Sequence, residues 1–197
     1  MNLFILDKDP VIAAKMYCDK HVIKLILECY QMLGSAVISH GAIPDMMPLT
    51  SKGTPLRGGY HFHPVTKWVG KTRENFLWTS YHAAMLCEEY TKRYGKTHAC
   101  SEGLEHLYRM RDMIPEGPLT PFALAMPDEY RPAYIHVASH PFAVLTDEGG
   151  NKITHATGDL AVQAYRQYYI KDKSYFAAWN KGTDAPDWYV EGLLKNS

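Results

Sequence analysis

The sequence predicts a mainly α-helical protein, a compact single-domain helical bundle with a small β-hairpin near residues 133–156. Three observations carry this prediction: long stretches with helical periodicity, proline and glycine residues at their ends, and one short segment of strand-like texture. A length of 197 residues fits one domain, and 46% apolar with 21% charged residues is typical of globular proteins. We therefore expect residues 1–197 to form a single helical domain.

The predicted helices follow from their start and stop signals. After the short apolar run at residues 1–6, Asp9 and Pro10 start a helix that extends from residue 11 to about residue 40, with a break near residues 18–20. The same signals predict further helices over residues 64–94, 101–113 and 160–170. Between the last two, apolar runs flanking a Glu-Gly-Gly-Asn turn predict the hairpin.

Charge and cysteine usage limit the functional classes. The 21 basic and 21 acidic residues balance, which argues against a passive nucleic-acid coat but leaves room for an enzyme with a basic cleft. The four cysteines form no C-x-x-C pair, the N-terminus carries no secretory leader, and no apolar run approaches the roughly 20 residues of a membrane span. We expect a cytoplasmic protein with no membrane partner.

A polar stripe marks the first long helix. His21, Lys24 and Glu28 lie at i, i+3 and i+7, and Gln31 and Ser35 continue the same face, while the remaining faces are apolar. A narrow polar stripe on a central helix faces either a cleft or a strip of solvent. An acid, a cation and an imidazole within reach of one another suit proton transfer, so we favour the cleft. The alternative is a solvated edge with an ordinary ion pair between Lys24 and Glu28.

Basic and aromatic residues alternate at the start of the second helix. This set suits phosphate binding and base stacking, and it comprises Lys67, Trp68, Lys71, Arg73 and Asn75. The alternative interpretation is a core tryptophan face beside a basic solvent face. The segment before this helix holds His61 and His63, which are candidate metal ligands only if a third ligand joins them. They are more simply loop residues, so we expect no metal and no cofactor.

A second aromatic and basic cluster lies near the C-terminus, in the run Tyr-Arg-Gln-Tyr-Tyr. Its candidate nucleic-acid contacts are Tyr165, Arg166, Tyr168 and Tyr169. With this cluster, the central helix carrying His21 and Glu28 and the long helix entered from a loop, the chain resembles the phage-type pyrimidine-dimer DNA glycosylase/lyases of the endonuclease V group.

The resemblance implies a compact helical repair enzyme that acts on DNA. In that family the N-terminal α-amine attacks the sugar C1′ of the damaged nucleotide, which implies Met1 as the amine if it is retained. It also implies Glu28 as the assisting glutamate, His21 as the helix histidine and residues 165–169 as a DNA-contacting segment. The chain departs from the family because Asn2 follows the initiator and Lys24 is the only cation beside the glutamate. These departures predict a phage-encoded relative with altered chemistry.

The sequence leaves three functional hypotheses open. We favour an enzyme that works on a DNA base or its glycosidic bond, with the nucleotide flipped into a cleft lined by the first long helix. In it, Lys24 is expected to remain charged and act electrostatically, because a neighbouring carboxylate favours the charged form. One alternative is a pyrimidine-modifying transferase that needs a small-molecule second substrate. The other is a non-catalytic protein that binds nucleic acid or a host protein.

Overall fold

The computed structural model describes residues 2–131 and 154–195, and in this part of the chain the fold is mainly α-helical. The helices are α1 Pro10–Lys15, α2 Asp19–Ser39, α3 Pro64–Val69, α4 Arg73–Tyr94, α5 Ser101–Arg109, α6 Gly158–Lys173 and α7 Asp187–Leu194. Two short strands, β1 Phe122–Ala123 and β2 His155–Ala156, pair antiparallel with Phe122 opposite Ala156. The predicted mainly-α class with a small hairpin is confirmed, whereas residues 133–153 of the predicted hairpin lie outside the described residues.

Helix α2 is the centre of the bundle. It packs against α3, α4 and α5, and most of its residues are buried. Among the described residues, α2 alone is long and apolar enough to cross a membrane by length and composition, and 67% of its most apolar window is buried inside the fold. That burial is typical of a core helix, because a polypeptide core removes such a surface from water as a membrane would.

The N-terminal segment is an extended strip laid into the core. Leu3, Phe4, Ile5 and Leu6 have exposed fractions of 4% or less. The Tyr17 hydroxyl donates a hydrogen bond to the carbonyl of Phe4. This segment therefore holds the start of the chain against α2, where the polar stripe lies.

The second predicted helix is interrupted between α3 and α4. Gly70 ends α3, and its Cα lies so near α2 that an added Cβ would stand 3.3 Å from the Cβ of Ala36. The Thr72 side chain then caps α4 by accepting a hydrogen bond from the backbone of Asn75. The prediction of one continuous helix over residues 64–94 is therefore wrong, because close packing on α2 ends the first piece and a new cap starts the second.

Candidate active site

The candidate active site is built around a buried carboxylate on α2. Glu28 has an exposed fraction of 7%. Its Oε2 accepts a hydrogen bond from the backbone nitrogen of Asn2 at 2.7 Å, and its Oε1 lies 3.3 Å from the Nζ of Lys24. The Lys24 side chain is 65% exposed, so the pair joins a solvent-facing cation to a largely buried acid. The carboxylate thus faces the first residues of the chain.

Asn2 is fixed in this position by its own side chain. Its Nδ2 donates to the carbonyl of Ala125 at 2.7 Å, and its Oδ1 accepts from the backbone nitrogen of Leu3 at 2.8 Å. The Tyr165 hydroxyl in turn donates to the carbonyl of Ala123 at 2.7 Å and accepts from the nitrogen of Ala125 at 3.1 Å. Helix α6 and the segment after β1 therefore hold the chain start against Glu28.

Sequence reasoning missed this role of Asn2. The residue was considered only as the neighbour of Met1, and Met1 lies outside the described residues. The available signal was a single amide side chain inside the otherwise apolar run at the start of the chain. A polar side chain that is 8% exposed needs hydrogen-bond partners, and the acceptor for the Asn2 amide nitrogen, the carbonyl of Ala125, lies more than 100 positions away.

The loop before α3 closes one side of the site. The Ser35 hydroxyl accepts from the backbone nitrogen of Gly59 at 2.7 Å and donates to its carbonyl at 2.8 Å. Farther along this loop, His63 caps α3 by accepting from the backbone nitrogen of Val65 at 3.3 Å. Burial lowers the pKa of His63, and the Glu28 charge opposes that shift, which places the imidazole within the field of the carboxylate.

His21, at the N-terminal end of the polar stripe, is buried in the core. Its exposed fraction is 6%, its Nδ1 is hydrogen-bonded to the Tyr169 hydroxyl at 2.8 Å, and its ring stacks on Phe4 with centroids 4.8 Å apart. Burial, aided by the charges of Lys24 and Lys173, lowers the pKa of His21 to about 3. The imidazole is therefore neutral at physiological pH and anchors the N-terminal segment. Its predicted part in proton transfer stays a prediction.

The start of the second predicted helix divides into buried and exposed residues. Trp68 and Asn75 have exposed fractions of 2% and 0%, which corrects their prediction as DNA contacts. Both amide atoms of Asn75 are engaged, because its Nδ2 donates to the carbonyl of Trp68 and its Oδ1 accepts from the backbone of Thr120. Lys67 and Lys71 are exposed and remain candidate phosphate contacts.

Arg73 is less available than the two lysines. Its side chain is 25% exposed, and its Nη1 lies 3.0 Å from a Glu116 carboxylate oxygen and 3.6 Å from one of Asp112. A phosphate must compete with these two carboxylates for the guanidinium. We therefore keep Arg73 as a weaker candidate for DNA contact.

The C-terminal aromatic cluster mostly supports the core. Tyr165 and Tyr169 are fully buried, so their prediction as DNA contacts is corrected. Tyr168 is partly buried and stacks on Phe4 with centroids 5.8 Å apart. The Nε of Arg166 donates to the carbonyl of Leu6 at 2.9 Å. This motif positions the start of the chain because its rings are buried in the core and their hydroxyls form hydrogen bonds inside the protein. DNA contacts by Tyr168 and Arg166 stay predictions.

The histidines of the loop do not assemble with other ligands. In residues 2–131 and 154–195, no three histidine, cysteine, aspartate or glutamate side chains are grouped so that they could hold a metal ion. His61 is exposed and its Nε2 is hydrogen-bonded to the carbonyl of Arg57 at 3.1 Å, while His63 serves as the helix cap. Their geometry fits loop structure.

A cleft of about 410 Å³ lies next to the site on the same helix. Its walls are the α2 residues Leu27, Tyr30 and Gln31 and the loop that contains Thr50 and Arg57. Gln31 also lies against Gly59, where an added Cβ would stand 3.2 Å from its side chain. Leu27 and Gln31 of the cleft wall lie on either side of Glu28 in the sequence of α2, and Glu28 itself is not one of the lining residues. That His21, Lys24 and Glu28 line one pocket stays a prediction.

Comparison with known proteins gives one finding. The sequence model of a family described as pyrimidine dimer DNA glycosylase matches residues 1–102, which is just over half of the 197 residues. The matched segment contains Asn2, Lys24, Glu28 and the loop that precedes α3. Neither a curated protein nor a solved structure matches the chain.

Proposed function

Since the chain belongs to the pyrimidine dimer DNA glycosylase family, we propose that it cleaves the glycosidic bond of a damaged pyrimidine through an N-terminal amine assisted by Glu28. Membership of this family gives it an activity of the DNA glycosylase type, with DNA as substrate. The observation that carries this proposal is the 2.7 Å hydrogen bond from the Asn2 backbone nitrogen to the buried carboxylate. If the mature chain begins at Asn2, its amine is the nitrogen that makes this contact. If it begins at Met1, its amine belongs to the residue just before the contact.

The chemistry needs an unprotonated amine and a nearby base. An α-amine has an ordinary pKa of about 7.7–8.0, so a useful fraction is neutral at physiological pH, whereas a lysine amine is far more basic. In the first step the amine nitrogen bonds to C1′, the glycosidic bond breaks, and its electron pair leaves with the base. The proton released by the amine passes to the Glu28 carboxylate.

The second step forms the covalent intermediate. The nitrogen lone pair makes a double bond to C1′, the bond from C1′ to the ring oxygen breaks, and that oxygen takes the proton back from Glu28. The product is a protonated Schiff base between chain and sugar. Throughout, the Lys24 cation 3.3 Å from Glu28 acts electrostatically and forms no covalent bond.

The substrate must leave the base stack to reach a buried carboxylate. We propose that the flipped nucleotide enters the cleft beside α2, because its volume of about 410 Å³ falls in the range of small-ligand pockets. Two residues of its wall, Leu27 and Gln31, lie one residue before and three residues after Glu28 on α2. Exposed Lys67 and Lys71, in and just after α3, would hold phosphates of the same DNA. The exposed Arg57 in the cleft wall offers a further phosphate or base contact.

Borohydride trapping tests the proposal directly. The protein is incubated with duplex DNA that carries either a thymine dimer or an abasic site, reduced with borohydride, and mapped by mass spectrometry together with the intact mass that shows whether Met1 is present. We expect an adduct on the N-terminal residue, and Glu28→Gln should slow its formation by about 10²–10⁴-fold. Lys24→Ala is the matched control and should still form the adduct.

Two results would contradict the mechanism. An adduct that disappears with Lys24→Ala while the N-terminal amine stays unmodified would make Lys24 the nucleophile. An alkali-labile site formed at the dimer without any adduct would indicate a hydrolytic glycosylase in which Glu28 activates water. Neither an adduct nor an alkali-labile site at the dimer would favour one of the alternatives, a transferase or a non-catalytic binding protein.

A further inference from the structure

An exposed aromatic turn projects from the loop before α3. The backbone nitrogen of His63 donates to the carbonyl of Tyr60 at 2.9 Å, which closes the turn. Phe62 at its tip is 88% exposed, and Tyr60 is 58% exposed. Tyr60 also has a φ of 55°, in the left-handed region that a residue with a bulky side chain rarely adopts. The fold thus holds a strained backbone in order to present two apolar rings to solvent.

The base of this turn is fixed to α2. Gly58 has a φ of 69°, and a Cβ there would stand 2.3 Å from the hydroxyl oxygen of Ser35, so only glycine permits the approach. Gly59 is held by two hydrogen bonds to the same hydroxyl. Gln31, which packs on Gly59, follows Glu28 by three residues on α2. These contacts therefore fix the position of the turn relative to α2, beside the candidate active site.

Cations flank the turn on both sides along the chain. Arg57 precedes it and Lys67 and Lys71 follow it, and all three are exposed. Within the described parts of the chain, none of the three forms an ion pair with a carboxylate. An apolar tip between these exposed cations is complementary to a duplex, which offers stacked bases between two lines of phosphate.

We propose that Phe62 is a wedge that enters the base stack of duplex DNA next to the nucleotide presented to Glu28. Its ring takes the place of the extruded nucleotide and stacks on the neighbouring base, while the left-handed backbone of Tyr60 shapes the turn. The inference rests on the proposed function for the identity of the partner as DNA. It concerns how the duplex is opened, whereas the proposed function concerns the bond that is broken.

Fluorescence of 2-aminopurine separates these two questions. The base is placed next to a thymine dimer in a duplex, where unstacking raises its emission, and the full-length protein is titrated in. Glu28→Gln is used in parallel, so that opening is observed without base excision. We expect an emission rise with both proteins, and Phe62→Ala should reduce that rise at least about fivefold at saturating protein. Tyr175→Ala, which removes an aromatic ring that is 85% exposed elsewhere, should leave it unchanged.

Substrate form provides a second readout. Phe62→Ala should lower the rate of excision from duplex about tenfold or more but change the rate on single-stranded DNA by less than about twofold, since no stack must be opened there. Phe62→Leu, which keeps an apolar wedge, should restore part of the duplex effect.

Each outcome tests the proposed wedge role of Phe62 separately from the proposed cleavage of the glycosidic bond. A rise that depends on Phe62 in a protein that excises nothing supports the wedge and contradicts the proposed function. No rise with the wild-type protein overturns the wedge, even where excision is observed. A rise that Phe62→Ala leaves intact, or equal losses on duplex and single-stranded DNA, also overturns it and assigns the exposed ring to another partner.

Discussion

Acidification from pH 7.5 to pH 5.0 should destabilise the fold by about 2 kcal/mol through His21 alone. Burial lowers the pKa of this imidazole from the ordinary 6.5 to about 3, so the folded protein keeps it neutral throughout this range. The unfolded chain takes up a proton as the pH falls below 6.5, and therefore binds more protons than the folded state. The His21 contribution to stability is lost as the pH falls from about 6.5 to about 3, and this contribution does not change further below that.

The magnitude follows from the distance between pH 5.0 and the unfolded pKa. That distance is about 1.5 pH units, and each unit is worth about 1.36 kcal/mol. His82 adds a second loss of stability of similar size on acidification to pH 5.0, because complete burial lowers its pKa to about 4. Urea unfolding of wild type and His21→Gln at both pH values isolates the His21 share, because the other titrating groups cancel in the difference.

The glutamine side chain can retain a hydrogen bond to Tyr169 but takes up no proton. We expect the wild type to lose about 2 kcal/mol more than His21→Gln on acidification. Equal losses in the two proteins would refute the neutral, buried state of His21. An excision rate whose pH profile loses a limb near pH 6 in His21→Gln would instead establish the proton-transfer role.

Two further pairs of substitutions test the candidate interface and its support. Lys67→Ala and Lys71→Ala should each reduce the log-log salt slope of DNA binding by about 0.9, measured by fluorescence anisotropy between 50 and 200 mM salt; unchanged slopes would remove these lysines from the interface. Gly58→Ala should cost about 3 kcal/mol in urea unfolding, because a Cβ there would stand 2.3 Å from the Ser35 hydroxyl. Gly53→Ala has the same sign of φ but open space around it, so it should cost only about 1 kcal/mol, and equal costs would refute the packing explanation.

The fold was predictable where local signals decide it. Asp9 caps α1 with its carboxylate and Pro10 follows at the first helical position, as the sequence indicates. The predicted break in the first long helix lies between α1 and α2. The interruption at Gly70 was not predictable, since it depends on the close approach of α3 to α2. Helix α7 was not predicted either.

The candidate site was predictable in part. The periodicity of α2 placed Lys24 and Glu28 on one face, and the structure brings them within 3.3 Å. The same periodicity could not tell that His21 would be covered by Phe4 or that the start of the chain would lie across Glu28. Those contacts depend on Tyr165 and Tyr169, far away in sequence, whose aromatic composition suits a DNA surface and a protein core alike.

The groups proposed to react and the groups that aim them come from different parts of the chain. Asn2 and Glu28 lie inside the segment that matches the family, while Ala125 and Tyr165 lie beyond it. A fragment ending at residue 102 would leave Asn2 without its anchor and the core without α6. Because misplacing a reacting atom by about 1 Å can cost roughly 10²-fold in rate, substitutions in the second half can retune the enzyme without altering a reacting group. The part of the chain beyond residue 102 thus sets the position of the two groups proposed to react.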